Sequence, residues 1–134
     1  MNITTRQAKA LVEAAERKAN EIGVPVSIVM LDAAGHLKAF SRMDDVFLIS
    51  IDVAMKKAKT AVLFEANSEC LWDACKPGGP AEGVQFTNGG LVTFAGGIPL
   101  KTPDGRVVGA IGISGGTVPQ DFEIATAAFD AFVA

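Results

Sequence analysis

The chain has 134 residues and a formal net charge of −3, with 49% hydrophobic and only 20% charged residues. This length predicts a single domain, residues 1–134, whose core needs no disulfide or metal for stability. The 12 lysines and arginines form no basic run, which excludes a typical nucleic-acid-binding surface. So few charges on a small domain leave apolar surface for other copies to cover, and the composition therefore favours a homo-oligomer.

The sequence also carries no signal of export or membrane insertion. Residues 1–6 lead directly into a polar helical pattern, unlike a secretory signal. The longest uncharged stretch, residues 83–100, contains Asn88, Pro99 and five glycines, which is incompatible with a membrane span. Cys70 and Cys75 are best explained as small hydrophobic residues in a reducing compartment, because two thiols do not make a metal site. We therefore expect a cytoplasmic protein with no membrane partner.

The first 42 residues predict a helix followed by a β-hairpin. Thr4 and Gln7 have capping-box spacing, and apolar residues at helical spacing then continue to Ile22, before Gly23. Residues 24–31 form a nearly continuous β-branched run, typical of a central strand. A turn over residues 32–35 joins this run to the alternating segment 36–42, so the two strands should be antiparallel.

The remainder predicts three more helices and three short strands. Asp44 or Asp45 could cap a helix over residues 46–64, and a short helix follows at 68–75. Three strands are expected at Leu91–Phe94, Gly97–Lys101 and Arg106–Ser114, and a last helix with Pro119 in its first turn. The short connections favour an α+β fold with a largely antiparallel sheet.

Two glycine pairs are the candidate ligand-binding elements. Gly96, Gly97 and Ile98 lie between two strands, where consecutive glycine amides can form an anion-binding nest. Ser114, Gly115 and Gly116 precede the last helix, and N–H groups there suit an anion. The segment from Gly109 to Gly116 fits neither the dinucleotide-binding nor the P-loop pattern. Tight turns and close helix packing explain both pairs equally well.

A few charged side chains are weak candidates for chemistry. Arg42 and Lys56, with Lys59, could neutralise a carboxylate, although a solvated surface is the simpler explanation. Asp121 is a weak catalytic candidate, since its position in the first turn of a helix is itself favourable. His36 is the only histidine and is more typical of a surface residue than of a haem ligand. No catalytic triad or zinc site can be identified from this spacing.

Several motifs, taken in order, resemble the GlcG/HbpS family, which is named for haem degradation and includes the C-terminal domain of PduO. They are Val24–Ser27, Asp32–Leu37, Ser41–Asp44, Lys57–Ala61, Gly96–Leu100 and Gly109–Gly116, with Asp121 beyond. The resemblance implies a five-stranded antiparallel sheet with helices on both faces, a profilin-like α/β/α sandwich that assembles into dimers to octamers. It also implies haem as a possible cofactor and a catabolic operon as the setting. Unlike some haem-binding members, this chain has no histidine in residues 5–22 and no tyrosine.

Three functions follow from these features. The leading prediction is a small-molecule binding protein or small enzyme, of tautomerase or hydrolase type, acting on a carboxylate-bearing catabolic intermediate in a glycine-lined pocket. The alternative is an accessory protein that binds or degrades haem or a corrinoid. A third is an assembly role without a ligand. The residues alone leave open whether any site is catalytic.

Overall fold

The computed structural model describes residues 2–133. Residues 2–133 contain four α-helices: α1 (Thr5–Ile22), α2 (Ile49–Phe64), α3 (Trp72–Cys75) and α4 (Val118–Val133). The same residues contain four strands: β1 (Ser27–Asp32), β2 (Leu37–Arg42), β3 (Gly97–Lys101) and β4 (Val107–Ser114). The strands form one antiparallel sheet in the order β2-β1-β4-β3. The fold is thus α+β with a largely hairpin-connected sheet, as the connection lengths predict.

Alternation along the central strands explains why helices cover both faces of the sheet. Ile28 and Met30 on β1 belong to a core shared with α1 and α4, whereas Val29 and Leu31 belong to a second core with α2. Successive side chains of a strand point to opposite faces, so a strand that is apolar throughout needs cover on each side. The three layers agree with the resemblance.

The predicted ends of the first helix are confirmed. Thr4 accepts a hydrogen bond from the Gln7 backbone N–H, while the Gln7 side chain accepts one from the Thr4 N–H. Gly23 adopts the left-handed conformation and ends the helix. Both predicted hairpins also form, because β1 pairs with β2 and β3 pairs with β4. No helix within residues 2–133 has the length and apolar character needed to cross a membrane.

The prediction of a fifth strand at residues 91–94 was wrong. The backbone of this segment bonds to a helix and a loop rather than to a neighbouring strand. The N–H of Val92 donates to Thr60 Oγ1, and the N–H of Leu91 donates to the Gln85 carbonyl. The carbonyl of Phe94 accepts from Ser68 Oγ. Its apolar residues gave a strand-like pattern, but side chains of α2 and the following turn satisfy its polar groups instead.

The predicted start of the second helix was also wrong by three residues. Asp45 has a left-handed φ of 66°, and Leu48 precedes the helix without any side-chain cap. The segment before α2 is therefore an irregular loop. Its residues Phe47 and Leu48 are 75% and 73% exposed, and Ile49, the first residue of α2, is 74% exposed. Three successive apolar side chains this exposed suggest a surface that something else covers.

Candidate functional site

One end of the sheet brings together most of the residues that the sequence singled out. Ser27 at the start of β1 pairs with Arg42 on one side and with Ser114 on the other. Gly97 begins β3 at the same end, two residues from Ser114 in register. His36 precedes β2 at the opposite end, roughly 17 Å from this edge by the rise of the strand. His36 and the glycine pairs therefore do not share a site within one subunit.

A groove lies beside the turn that follows β4. It has a volume of about 480 Å³, within the range of small-molecule sites. The turn Ser114–Thr117 forms one wall, and the exposed Phe47 and Ile49 face it. Gly23, Val24, Pro25 and Gln120 complete the lining. The groove is apolar over most of its surface, with hydroxyl and amide groups at one side.

The glycines of this turn allow it to pack closely against neighbouring residues of the groove. A Cβ on Gly116 would lie 2.7 Å from Val24 Cγ1 and 2.9 Å from Gln120 Oε1, which are both groove residues. Gly115 has a φ of 140° and would bring a Cβ within 2.7 Å of Val46 Cγ2. Larger residues at either position would therefore displace the lining.

Arg42 lies in a neighbouring crevice rather than in the groove itself. The crevice is also lined by Met43, Asp44, Asp45, Val46 and Leu48. Val46 and Leu48 lie in the loop that also supplies Phe47 to the groove, and Ile49 follows at the start of α2, so the two depressions flank one short segment. Arg42 is an exposed cation in this crevice, and Asp44 and Asp45 are exposed carboxylates in the same lining.

The other glycine pair is buried beneath α2. A Cβ on Gly97 would overlap the backbone carbonyl of Lys57, and one on Gly96 would lie 2.7 Å from Lys57 Nζ. The N–H of Gly97 already donates to Ser68 Oγ at 3.0 Å. Ile98, the next candidate, packs in the α1–α4 core and borders a different pocket with Phe122 and Phe129. Close packing thus accounts for Gly96 and Gly97.

A buried ion pair connects the two glycine pairs. Lys57 Nζ lies 3.1 Å from Asp121 Oδ2, and the two side chains are 1% and 4% exposed. The amine also donates to the Ile113 carbonyl at 2.8 Å, and it lies 5.1 Å from the centre of the Phe94 ring. Asp121 Oδ1 accepts from the N–H of Gly116 at 2.9 Å. Four separate sequence motifs therefore meet at one charged pair.

Burial sets the electrostatics of this pair. Loss of hydration lowers the pKa of Lys57 below its ordinary value of 10.5, and the Asp121 carboxylate counteracts that effect. A buried amine in this position depends on its carboxylate partner and its carbonyl acceptor, because leaving either charge alone in the interior is costly.

The sequence reasoning found Asp121 but missed Lys57 as its partner. A usable signal was present, since Lys57 lies on the same helical stripe as Ala54, Ala58 and Ala61, which face the sheet. Lys56 instead pairs with Asp52 at 3.0 Å, near the surface, and Lys59 donates to the Asn88 carbonyl. Neither lysine lies with Arg42, so the three cations do not form a common anion site.

Known proteins resemble this chain over nearly its whole length. The family model for haem degrading protein HbpS-like matches residues 3–130. An uncharacterised 15.0 kDa protein from the dhaT-dhaS intergenic region of Citrobacter freundii is 42% identical, over 97% of this chain and 92% of that protein. The corrinoid adenosyltransferase PduO of C. freundii is 39% identical over 98% of this chain, which spans only 39% of PduO.

A solved structure of a PduOC–haem complex superposes with a TM-score of 0.91 at 36% identity, covering 98% of this chain and 95% of that one. Both the family match and the relatives extend over nearly the whole sequence, including the motifs that converge on Lys57 and Asp121. The chain belongs to the HbpS-like family.

Proposed function

We propose that this protein binds haem in the groove between the residue 46–49 loop and the Ser114–Thr117 turn. The observation that carries the proposal is the close likeness, over almost the whole chain, to a domain whose structure contains haem. The haem-related alternative thus replaces the carboxylate-directed enzyme as the favoured function.

The groove has the surface chemistry that a porphyrin needs. The macrocycle is flat and apolar, and Phe47 and Ile49 offer it exposed apolar side chains opposite the glycine turn. Gly115 and Gly116 are partly exposed, so a flat ligand can approach their backbone from the groove. Arg42, at the rim of the adjoining crevice, can pair with a propionate.

The residues of the groove are better suited to apolar contact with the macrocycle than to coordination of the haem iron. Its own side-chain donors are Ser114, Thr117 and Gln120, and Thr117 Oγ1 already accepts from the N–H of Gln120. Among the residues of the groove and its neighbouring crevice, Met43 supplies the single sulfur atom. We therefore propose that apolar contact and the propionates dominate binding, with His36 of the same subunit uninvolved.

The exposed apolar side chains outside the groove support assembly of several copies. They include Leu63, Phe64, Trp72, Phe86 and Phe94. Large apolar side chains that remain exposed are candidates for contact with another copy. We propose a homo-oligomer as the working form.

Reaction with a carboxylate-bearing intermediate has less support. The amides of Gly97 and Gly116, which were to hold the anion, donate to Ser68 Oγ and Asp121 Oδ1. An incoming carboxylate would have to displace both acceptors. The names of the relatives add nothing in favour of tautomerase or hydrolase activity.

A titration of the purified protein with haem tests the proposal. We expect a saturable change in the Soret band that ends at one haem per subunit, and the same endpoint for His36→Ala. Phe47→Ser should weaken binding, whereas Phe86→Ser, equally exposed but outside the groove, should not. A Soret change without an endpoint, or equal affinity of Phe47→Ser and wild type, would refute the groove as the site.

A further inference from the structure

The groove wall is tied to the protein interior by a short chain of charge-assisted hydrogen bonds. Asp121 Oδ1 accepts from the N–H of Gly116, in the wall, and Asp121 Oδ2 accepts from the amine of Lys57. Lys57 in turn donates to the carbonyl of Ile113, one residue before Ser114. The turn is therefore held from both its ends by one ion pair.

This arrangement leaves the carboxylate of Asp121 little freedom. Both of its oxygens are engaged, its side chain is almost fully buried, and its own N–H donates to the carbonyl of Thr117. Bonds to an ionised acceptor are stronger than neutral ones, particularly away from water. The position of Gly116 thus depends directly on where Lys57 holds Asp121.

The rest of the turn has weaker restraints. Gly115 has a left-handed φ of 140° and Gly116 has no side chain, so the local sequence alone favours no single conformation. The side chain of Gln120 accepts from the N–H of Thr117, but both residues are partly or fully exposed. An external restraint is needed to keep two adjacent glycines in one conformation.

We propose that Lys57 and Asp121 are a positioning pair, which fixes the Ser114–Thr117 turn and so sets the affinity of the groove for its ligand. This role rests on the proposed haem site but has a separate structural readout. Neither residue lines the groove, so both act through the turn.

Two substitutions of Asp121 separate positioning from general stability. Asp121→Asn keeps an oxygen that can accept from Gly116, whereas Asp121→Ala removes it. We expect Asp121→Ala to weaken haem binding by about tenfold and Asp121→Asn to weaken it by less than about threefold. Lys56→Met is the matched control, one residue from Lys57 on the same helix but paired at the surface, and it should bind haem as wild type does.

Amide hydrogen exchange of Gly116, followed by NMR, tests the restraint without any ligand. We expect slow exchange in wild type and Lys56→Met, markedly faster exchange in folded Asp121→Ala, and an intermediate rate in Asp121→Asn, which keeps the acceptor for Gly116 but loses the ion pair with Lys57. If Asp121→Ala proves unfolded, faster exchange at Gly116 in Lys57→Met serves as the same readout. Equal exchange at Gly116 in all folded variants would overturn the positioning role, even if wild type binds haem. Failure of wild type to bind haem, with the exchange differences present, would refute only the haem site.

Discussion

At the scale of single residues, the glycines divide into those that serve packing and those that shape a surface. Gly97 allows the backbone of α2 to approach the sheet, and Gly116 allows Val24 and Gln120 to pack against the turn that forms one wall of the groove. The sequence could not separate the two roles, because a glycine pair beside the end of a strand has the same local pattern in both. The two roles differ in the residue that an added Cβ would meet, which is Lys57 for Gly97 and Val24 for Gly116.

Gly97→Ala should therefore be strongly destabilising. The added methyl group would overlap the Lys57 carbonyl, and neither backbone can move without disturbing the core. We expect a loss of about 2–3 kcal/mol in the free energy of unfolding, measured by urea denaturation.

Gly35→Ala is the control for that measurement. Its φ of 83° is strained for alanine, but no atom lies within 4 Å of the added methyl group. A cost of about 1 kcal/mol is expected there. If the two variants lose equal stability, close approach of α2 is not what Gly97 provides.

At the scale of elements, two features that depend on neighbouring residues were predicted correctly. The capping box of α1 and the hairpin turn before β2 depend on residues a few positions apart, and both form. The strand prediction for residues 91–94 failed because the hydrogen-bonding partners of this segment, Thr60 and Ser68, are distant from it in sequence. The ion pair between Lys57 and Asp121 was missed for the same reason, since 64 positions separate its members.

That pair, which joins α2 to α4, should behave as a unit. Lys57→Met leaves a carboxylate buried without its partner, and we expect it to cost about 3–5 kcal/mol. The double variant Lys57→Met/Asp121→Asn removes both charges while an amide oxygen can still accept from Gly116. Chemical denaturation should find the double variant more stable than Lys57→Met alone. Additive losses would show that the two side chains are not coupled.

The lowered pKa of Lys57 predicts how this link depends on pH. Between the folded-state pKa and 10.5, the unfolded chain binds more protons at Lys57 than the folded chain does. The free energy of unfolding therefore rises with pH in that window. Measured from about pH 8 to about pH 10, the stability of wild type relative to Lys57→Met should increase. A constant or decreasing difference would contradict the stated direction of the pKa shift.

At the scale of the whole molecule, the exposed apolar surface is the feature that a single chain leaves unexplained. The composition predicted an excess of exposed apolar surface. It could not predict where that surface lies, because its location depends on the irregular loop before α2 and on the segment after α3. Light scattering of the purified protein should give a mass that is two or more times the chain mass of 13.9 kDa. A monomer at micromolar concentration would contradict assembly.

The haem site itself can be located by hydrogen–deuterium exchange with mass spectrometry, comparing the protein with and without haem. We expect haem to slow exchange in residues 46–49 and 114–120, which form the two walls of the groove. Slowing instead around residues 65–67 and 122–130, where another pocket lies, or no slowing anywhere, would contradict the proposed site.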